Sequence, residues 1–574
     1  MFKKAVDLHF SGALNEAEQI YRQILETAPN NADVLNLLGL IAQQRGFHQE
    51  AVSYFYKAAE NAPKHFPIFF NLAVSLEALE KHLEALEAYA KVLELKADIK
   101  EAHFGRAKIF WHLNQKDTAE QEFLKALNID ANYVEAQTDL AEMKNDIAKL
   151  IEISEKHQDF EAVFYYLGRR KFKEKNFKTA EKYLRQANKL TDSAEIKVLL
   201  AETLLEENQE KEASALFYQA LNLNPHNAEA SLKIADIESK NQNYKEAEKY
   251  YKRTLELEPE NLSAHTNYAN MLCKTNRTLE ALEEYRSAVI IAPETPEISY
   301  NLALILKELK DYEQALSLMF NAFYSAPEHI DWSINLAETL ALYYKTESEK
   351  ATKIAQNWFE KMPQNPVAKH ILNALTGTSD FNEAEYNRIL FNTFAPTYEE
   401  TLKNIQYAVA EKMAEFCGKI KGNILDLGCG TGLVGEALKT PENKITGIDI
   451  SEQMLQIAEQ KKVYSRLIKA DIVEFLQKNS ECFDLITAGD VFCYFGDLEN
   501  IIKKIYPQKL VFSLEINPQI ETFKIQPNGR FMHNPKYVEN VLRTTGYTKI
   551  ASTSLILRKE EDAEVSGLII KAEE

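Results

Sequence analysis

Residues 424–435 read ILDLGCGTGLVG. Ile424, Leu425 and Leu427 form a short apolar run with the composition of a buried strand. Gly428, Gly430 and Gly432 follow, and Leu433, Val434, Ala437 and Leu438 then recur at helical spacing. Strand, glycine loop and helix is the order that brings backbone N–H groups close to a nucleotide-like ligand. The glycines are spaced G-x-G-x-G, and Leu433 stands where the dinucleotide fingerprint G-x-G-x-x-G places its third glycine.

Downstream, further strands follow in turn. Residues 444–449 (KITGID) read as a strand ending in an acid, 21 residues after Gly428. A carboxylate there can accept from both hydroxyls of a ribose, or cap the next helix, a duty that Ser451 also fits. Residues 467–471 (LIKAD), 483–488 (FDLITA) and 510–514 continue the series, with a helix around 498–506. Residues 547–557 and 565–571 read as a closing strand pair joined by an acidic turn at 559–564. The layout is α/β.

These residues resemble class I S-adenosylmethionine (SAM) dependent methyltransferases, which have a Rossmann-like, seven-stranded sheet. The resemblance implies a SAM site containing Asp426, Gly428, Cys429, Gly430 and Gly432 from the first motif, with Asp449 and Ile450 at the ribose. Met454 is expected either on the adenine face or in the core; Asp471 and Ile472 match the positions that meet the adenine edge. Before the first strand, Phe391, Phe394, Ala395, Pro396, Tyr398 and Glu399 resemble a lead-in that closes over the cofactor, with Tyr398 near the sulfonium. The alternative is a helix that packs its aromatics on the sheet. Residues 405–416 read as a further helix.

Residues 1–375 form a repeat region in which a 34-residue period runs to about residue 363. One unit is ADVLNLLGLIAQQRGFHQEAVSYFYKAAENAPKH, residues 32–65, with markers Gly39, Ala51, Phe55, Ala58 and Pro63. Ala73, Ala85 and Tyr89 repeat it, as do Ala235, Ala247, Tyr251 and Pro259. This resembles the tetratricopeptide repeat (TPR), whose paired helices stack into an α-solenoid because no unit buries its apolar face alone. About nine regular units are expected, plus an irregular one at 134–160 that lacks the usual second-helix residues, and a cap helix near 365–375. The polar stretch 376–385 reads as the linker and 386–574 as the methyltransferase domain.

Asn267, Asn301 and Asn335 stand 34 residues apart, with Asn71 at the same offset in an earlier unit. They resemble the asparagine ladder of O-GlcNAc transferase repeats, which implies a peptide held along the concave face; a solvated helix face is the plainer reading.

The formal net charge is −19. Residues 385–574 hold 23 Lys and Arg against 27 Asp and Glu, so most of the acidity lies in the repeats. That balance argues against a broad nucleic-acid grip. Five cysteines without a C-x-x-C or Cys/His cluster read as reduced thiols of a cytoplasmic protein, with no metal site. No apolar run is long enough to span a bilayer.

Methyl transfer from a sulfonium is an in-line displacement that needs alignment, and a base only for a protonated nucleophile. Asp490 and Tyr494, after the fourth strand, and His533 are the candidate catalytic residues; Arg530 is the candidate grip for a substrate carboxylate, and Arg530 and His533 both lie in a stretch, 526–533 (QPNGRFMH), that reads as a loop. For Arg530 and His533 the alternatives are a surface ion pair and a structural ring. Residues 488–495 (AGDVFCYF) lack the N/D-P-P-Y of adenine and amide methyltransferases and the Pro-Cys of cytosine C5 enzymes. What remains resembles quinone-biosynthesis and carboxyl methyltransferases, and bacterial proteins joining TPRs to such a domain. Three functions stay open: a SAM-dependent methyltransferase whose repeats recruit a protein, an interaction protein with an inactive domain, and a small-molecule methyltransferase with repeats for assembly.

Overall fold

The structure, a computed structural model, describes residues 1–378, 384–560 and 563–574. The chain separates into two compact units, Met1–Pro259 and Glu260–Glu574.

Met1–Pro259 holds eight antiparallel helix pairs among its described residues. A regular pair joins a 13-residue helix such as Ala32–Gln44 to a 14-residue helix such as His48–Asn61. The first helix ends on a residue with left-handed backbone; at Gly46 (φ 79°) the Phe47 N–H returns to the Ala42 carbonyl, closing a Schellman turn. The same conformation recurs at Glu80, Asn114, Asn145, Lys175, Asn208 and Gln242. Those positions are 34 apart at the ends of the series and closer in the middle, so the shortened turn-to-turn distance locates the register break. There, Val134–Met143 and Ile147–Lys156 form a complete but short pair of ten-residue helices. The second helix exists without the usual alanines because Leu150 and Ile153 bury its face instead.

Ala51, Ala85, Ala119, Ala180, Ala213 and Ala247 are fully buried, so each pair closes on a methyl group. Gly39 is tighter still: a Cβ there would lie 2.5 Å from the buried Phe55 ring. We expect Gly39→Leu to destabilise the chain by about 1–3 kcal/mol through overpacking, read as a lowered thermal transition of the full chain. An unchanged transition would contradict this packing.

Glu260–Glu574 opens with three more helix pairs, from Leu262–Lys274 to Ser348–Lys361, and the cap helix Pro366–Thr376. Among the described residues eleven pairs therefore stand where the sequence count gives ten; the short first and middle units both fold as pairs. The expected linker 376–385 includes residues 379–383, which lie outside the described residues. The compact division falls elsewhere for a physical reason. Trp358 and Ile371 of the repeats share one buried cluster with Tyr386, Ile389 and Leu390 of the lead-in helix Ala384–Phe394.

The sheet follows: β1 (Gly422–Leu427), β2 (Asn443–Asp449), β3 (Arg466–Lys469), β4 (Leu485–Ala488), β5 (Leu510–Glu515), β8 (Lys549–Glu560) and β9 (Ala563–Glu573). Its order is β3-β2-β1-β4-β5-β9-β8, parallel from β3 to β5 and antiparallel at β9 and β8. β1 is central and its Ile424, Leu425 and Leu427 are fully buried, as the apolar run requires. Strand order reverses between β1 and β4, which opens a crevice at their carboxyl ends. The closing strands run further than expected and take in most of the supposed acidic turn, of which residues 561 and 562 lie outside the described residues. Residues 526–533, expected as a loop, belong to an added hairpin of β6 (Phe523–Ile525) and β7 (Phe531–His533). Its turn has Gly529 at φ 81°, and the Gln526 N–H donates to the Arg530 carbonyl.

Candidate functional site

A cavity of about 560 Å³ opens at the crevice between the ends of β1 and β4. The glycine loop forms its floor. Gly428, Gly430 and Gly432 take φ of 60°, 53° and 93°. A Cβ on Gly428 would lie 2.6 Å from the Val491 side chain, so only glycine lets the loop pass. Gly428 and Gly430 line the cavity.

Asp449, at the end of β2, holds that loop. Its Oδ2 accepts the Gly430 N–H at 2.8 Å and its Oδ1 the Ser451 N–H at 2.8 Å. Burial pushes its carboxyl up to about 6, against the hydrogen bonds from the Ser451 and Gly430 backbone. The helix cap is Ser451, whose Oγ accepts the Met454 N–H at 3.1 Å. Asp449 is thus released from capping and faces the cavity with Ile450 and Met454. The Ser451 hydroxyl also donates to Asn392 Oδ1 at 2.7 Å, which ties the lead-in helix to the cavity rim. Asp471 and Ile472 lie on the wall too; Asp471 caps Ile472–Lys478 by accepting the Glu474 N–H.

Three expected cofactor residues lie off the wall. Asp426 is buried beneath the loop, accepting from the Tyr464 hydroxyl at 2.7 Å and the Thr487 hydroxyl at 2.9 Å. Cys429 turns its thiol towards Gly447 of β2. Gly432 is the N-cap of Leu433–Leu438 and faces Tyr464. All three shape the loop: the Asp426 and Cys429 side chains turn away from the cavity, and Gly432 supplies a left-handed backbone position at the start of the helix.

Tyr398 and Phe391 come from the lead-in, and Glu399 pairs with Lys461 at 2.8 Å to anchor it. Phe391 meets Tyr494 edge to face at 5.2 Å. Beyond β4, Asp490 and Tyr494 line the cavity as expected. Asp490 holds φ at 58°, and its N–H donates to Ser513 Oγ at 2.7 Å. Phe523 and Phe531 of the hairpin also line it, and the same hairpin packs on Ala374 of the cap helix. Sequence reasoning missed these two phenylalanines. The signal was present: P-N-G at 527–529 lies between alternating F-K-I and F-M-H.

Arg530 and His533 correct the sequence expectation. The Arg530 Nη2 donates to Asp490 Oδ1 at 2.8 Å, and its Nε lies 2.6 Å from Glu515 Oε1. Arg558 reaches the same Glu515 oxygen at 2.6 Å, and Gln526 Nε2 donates to the other at 3.0 Å. Glu515 and Arg558 are only 2% and 3% exposed, so this is a buried ion cluster. Its guanidiniums are engaged, and Arg530 is absent from the cavity wall; it stacks 5.3 Å from the Tyr494 ring instead. Burial alone would raise the Asp490 carboxyl, but Arg530 and Arg558 outweigh it and hold Asp490 below the usual range. Asp490, Cys493 and Glu515 bring three possible metal donors together. The two guanidiniums already neutralise both carboxylates, and burial pushes the Cys493 thiol well up, so the chemistry of the set is that of an ion-pair cluster. His533 is fully buried and off the wall; its Nε2 donates to the Gly496 carbonyl at 2.9 Å, and burial lowers its pKa, which keeps the ring neutral.

The asparagines are half-buried. Asn335 donates to the Tyr300 hydroxyl at 2.7 Å and accepts from Lys307 at 3.3 Å, so both ends of its amide meet neighbouring helices. Tyr285 bonds to Asn301. Asn71, in the third helix pair, donates to Asn36 of the second at 3.0 Å.

Residues 424–507 match the family model of a methyltransferase domain. Residues 3–66, 70–134 and 204–265 match tetratricopeptide-repeat models, and 240–322 match the model of anaphase-promoting complex, cyclosome, subunit 3. Malonyl-[acyl-carrier protein] O-methyltransferase of Priestia megaterium is 32% identical over 125 residues, which are 21% of this chain and 45% of that protein. Ubiquinone biosynthesis O-methyltransferase of Coxiella burnetii is 30% identical over 112 residues, 18% of this chain and 48% of that protein. The chain thus spans about half the length of these curated relatives. A crystal structure of a tetratricopeptide repeat protein from Parabacteroides merdae is 20% identical, with a TM-score of 0.37, over 41% of this chain and 95% of that one. No helix among the described residues is long and apolar enough to cross a membrane.

Proposed function

We propose that this chain, a tetratricopeptide-repeat protein carrying a C-terminal methyltransferase domain, binds S-adenosyl-L-methionine in the cavity between β1 and β4 and transfers its methyl group to an acceptor brought by the repeats. The observation that carries the reading is Asp449. A buried carboxylate, freed from capping, faces the cavity beside a glycine floor with left-handed backbone. The donor set fits such a nucleoside: Asp449 accepts from the ribose hydroxyls, Asp471 and Ile472 meet the adenine edge, and Gly428 and Gly430 let the amino-acid part approach the backbone. Residues 386–574 hold this chemistry, with Tyr398 and Phe391 of the lead-in covering the site.

Bound, the donor supplies a methyl group already activated on sulfur. The chain's part is alignment and exclusion of water. Phe391, Tyr398, Tyr494, Phe523 and Phe531 form the walls that exclude it. The rim is tied to both structural parts of Glu260–Glu574, because the hairpin under Phe523 and Phe531 rests on the cap helix of the repeats. TPRs typically hold proteins, and this contact supports a role for them in presenting the acceptor. Asn267, Asn301 and Asn335 mark the peptide-facing positions in this reading, with Asn301 also bonded to Tyr285 and Asn335 to Tyr300 and Lys307.

The second reading is a small-molecule methyltransferase, favoured by the two relatives above, whose names describe O-methyltransferases. Tritiated-methyl donor added with the full chain to a cell extract separates the two. Label in a protein band is expected; label confined to small metabolites favours the second reading. Absence of any label overturns both and leaves an interaction protein.

A further inference from the structure

The cavity is lined by five carboxylates, Asp449, Asp471, Glu474, Asp490 and Asp497, and among the described residues by no Lys, Arg or His. Asp490 is balanced by Arg530, and Glu474 is near Lys478. Asp449, Asp471 and Asp497 have no cationic partner among the described residues. A walled site with that balance concentrates cations and repels anions. The part beyond β4 adds aromatic faces to the charge: Tyr494, Phe495, Phe523 and Phe531 line it beside Asp490 and Asp497. Aromatic faces and carboxylates together are what an ammonium group seeks.

Among the described residues, the acceptor end of the wall holds no histidine or lysine to act as a base. His533 is buried elsewhere, and Asp490 is kept ionised by two guanidiniums, which makes it a weak proton acceptor. A phenol or alcohol needs its proton removed as it attacks. A carboxylate or phosphate needs no base, but meets a negative wall with its natural grip, Arg530, locked in the ion cluster.

We infer that the acceptor is an amine, recognised in its ammonium form by the aromatic and acidic end of the cavity. This rests on the methyl-transfer reading. The ammonium first gives its proton to water; the neutral nitrogen then forms the N–C bond as the methyl–sulfur bond breaks, and the sulfur keeps the electron pair. The product is the N-methylammonium and the demethylated donor, so charge and atoms balance without a further reactant.

The test is calorimetric titration of the full chain. S-adenosyl-L-homocysteine is titrated first; absence of binding strikes the donor reading, and the amine inference falls with it. With that ligand saturating, phenethylamine, phenylacetate and 4-ethylphenol are compared at neutral pH. Phenethylamine is expected to bind at least tenfold more tightly than the other two, with the margin reduced in Asp497→Asn. Binding of phenylacetate or 4-ethylphenol as tight as that of phenethylamine, or failure of all three to bind, overturns the inference while leaving the donor reading intact. Transfer of tritiated methyl to phenethylamine is expected to rise with pH, as the neutral fraction grows.

Discussion

Replacing Asp449 by alanine is expected to weaken S-adenosyl-L-methionine binding by the full chain at least about 100-fold. Hydrogen bonds to a charged acceptor contribute roughly 1.5–3 kcal/mol each, and in the proposed binding mode two ribose hydroxyls meet the one carboxylate. About 1.4 kcal/mol corresponds to a factor of ten, so two such bonds reach that loss. The same side chain also holds the Gly430 and Ser451 N–H groups, so the glycine floor loses its brace. Calorimetric titration measures the effect, and unchanged affinity would remove the ribose assignment. The pH dependence gives an independent handle. Burial pushes the Asp449 carboxyl up to about 6. Ligand affinity that needs the ionised form is therefore expected to fall about tenfold at pH 5. Stability runs the other way. With the folded value above the ordinary ~3.9, this group stabilises the fold most when protonated, and that contribution is lost as pH rises through about 6. Asp426, also pushed up to about 6 by burial, acts in the same direction.

Arg530→Met is expected to destabilise the C-terminal sheet by about 3–5 kcal/mol, the usual effect of leaving a buried charge without its partner. Glu515 and Asp490 would then share Arg558 alone, and Arg558 lies 4.0 Å from Asp490. Hydrogen exchange of β5 and β9 reports the change, with protection falling by two orders of magnitude or more. A surface arginine waiting for a substrate would shift stability by less than about 0.5 kcal/mol, so the experiment distinguishes the two roles. Neutralising Glu515 to glutamine in the same chain restores the balance of Asp490 against Arg558 and is expected to recover part of the loss. Equal loss in the single and double variants would show that Arg530 acts by packing alone.

The local features were readable in the chain. ILDLGCGTGLVG specifies a buried strand and a tight turn because apolar content and left-handed backbone depend on neighbouring residues alone. The 34-residue period is equally local: each pair of helices repeats the same contacts, and Ala51 or Ala247 marks its closure wherever it falls. Asp449 follows from its place after a strand, though only the structure gives the cap to Ser451. The short middle pair was less legible, since Leu150 and Ile153 replace the marker alanines with a different face of the same kind.

Other features have no local signature. Arg530, Asp490, Glu515 and Arg558 come from the hairpin, the end of β4, the end of β5 and β8. Their charges meet only when the sheet forms, and the meeting turns an apparent substrate grip into a buried support. His533 reads as a base in isolation and is a neutral core ring once β7 pairs with β6. Trp358 and Tyr386 lie on either side of a polar stretch that looks like a linker, yet they share one core. The sequence by itself determined the repeat, the succession of strands along the chain and the glycine floor, because these depend on short-range pattern. Which charges face the cavity depends on long-range pairing and burial, and only the tertiary structure decided it.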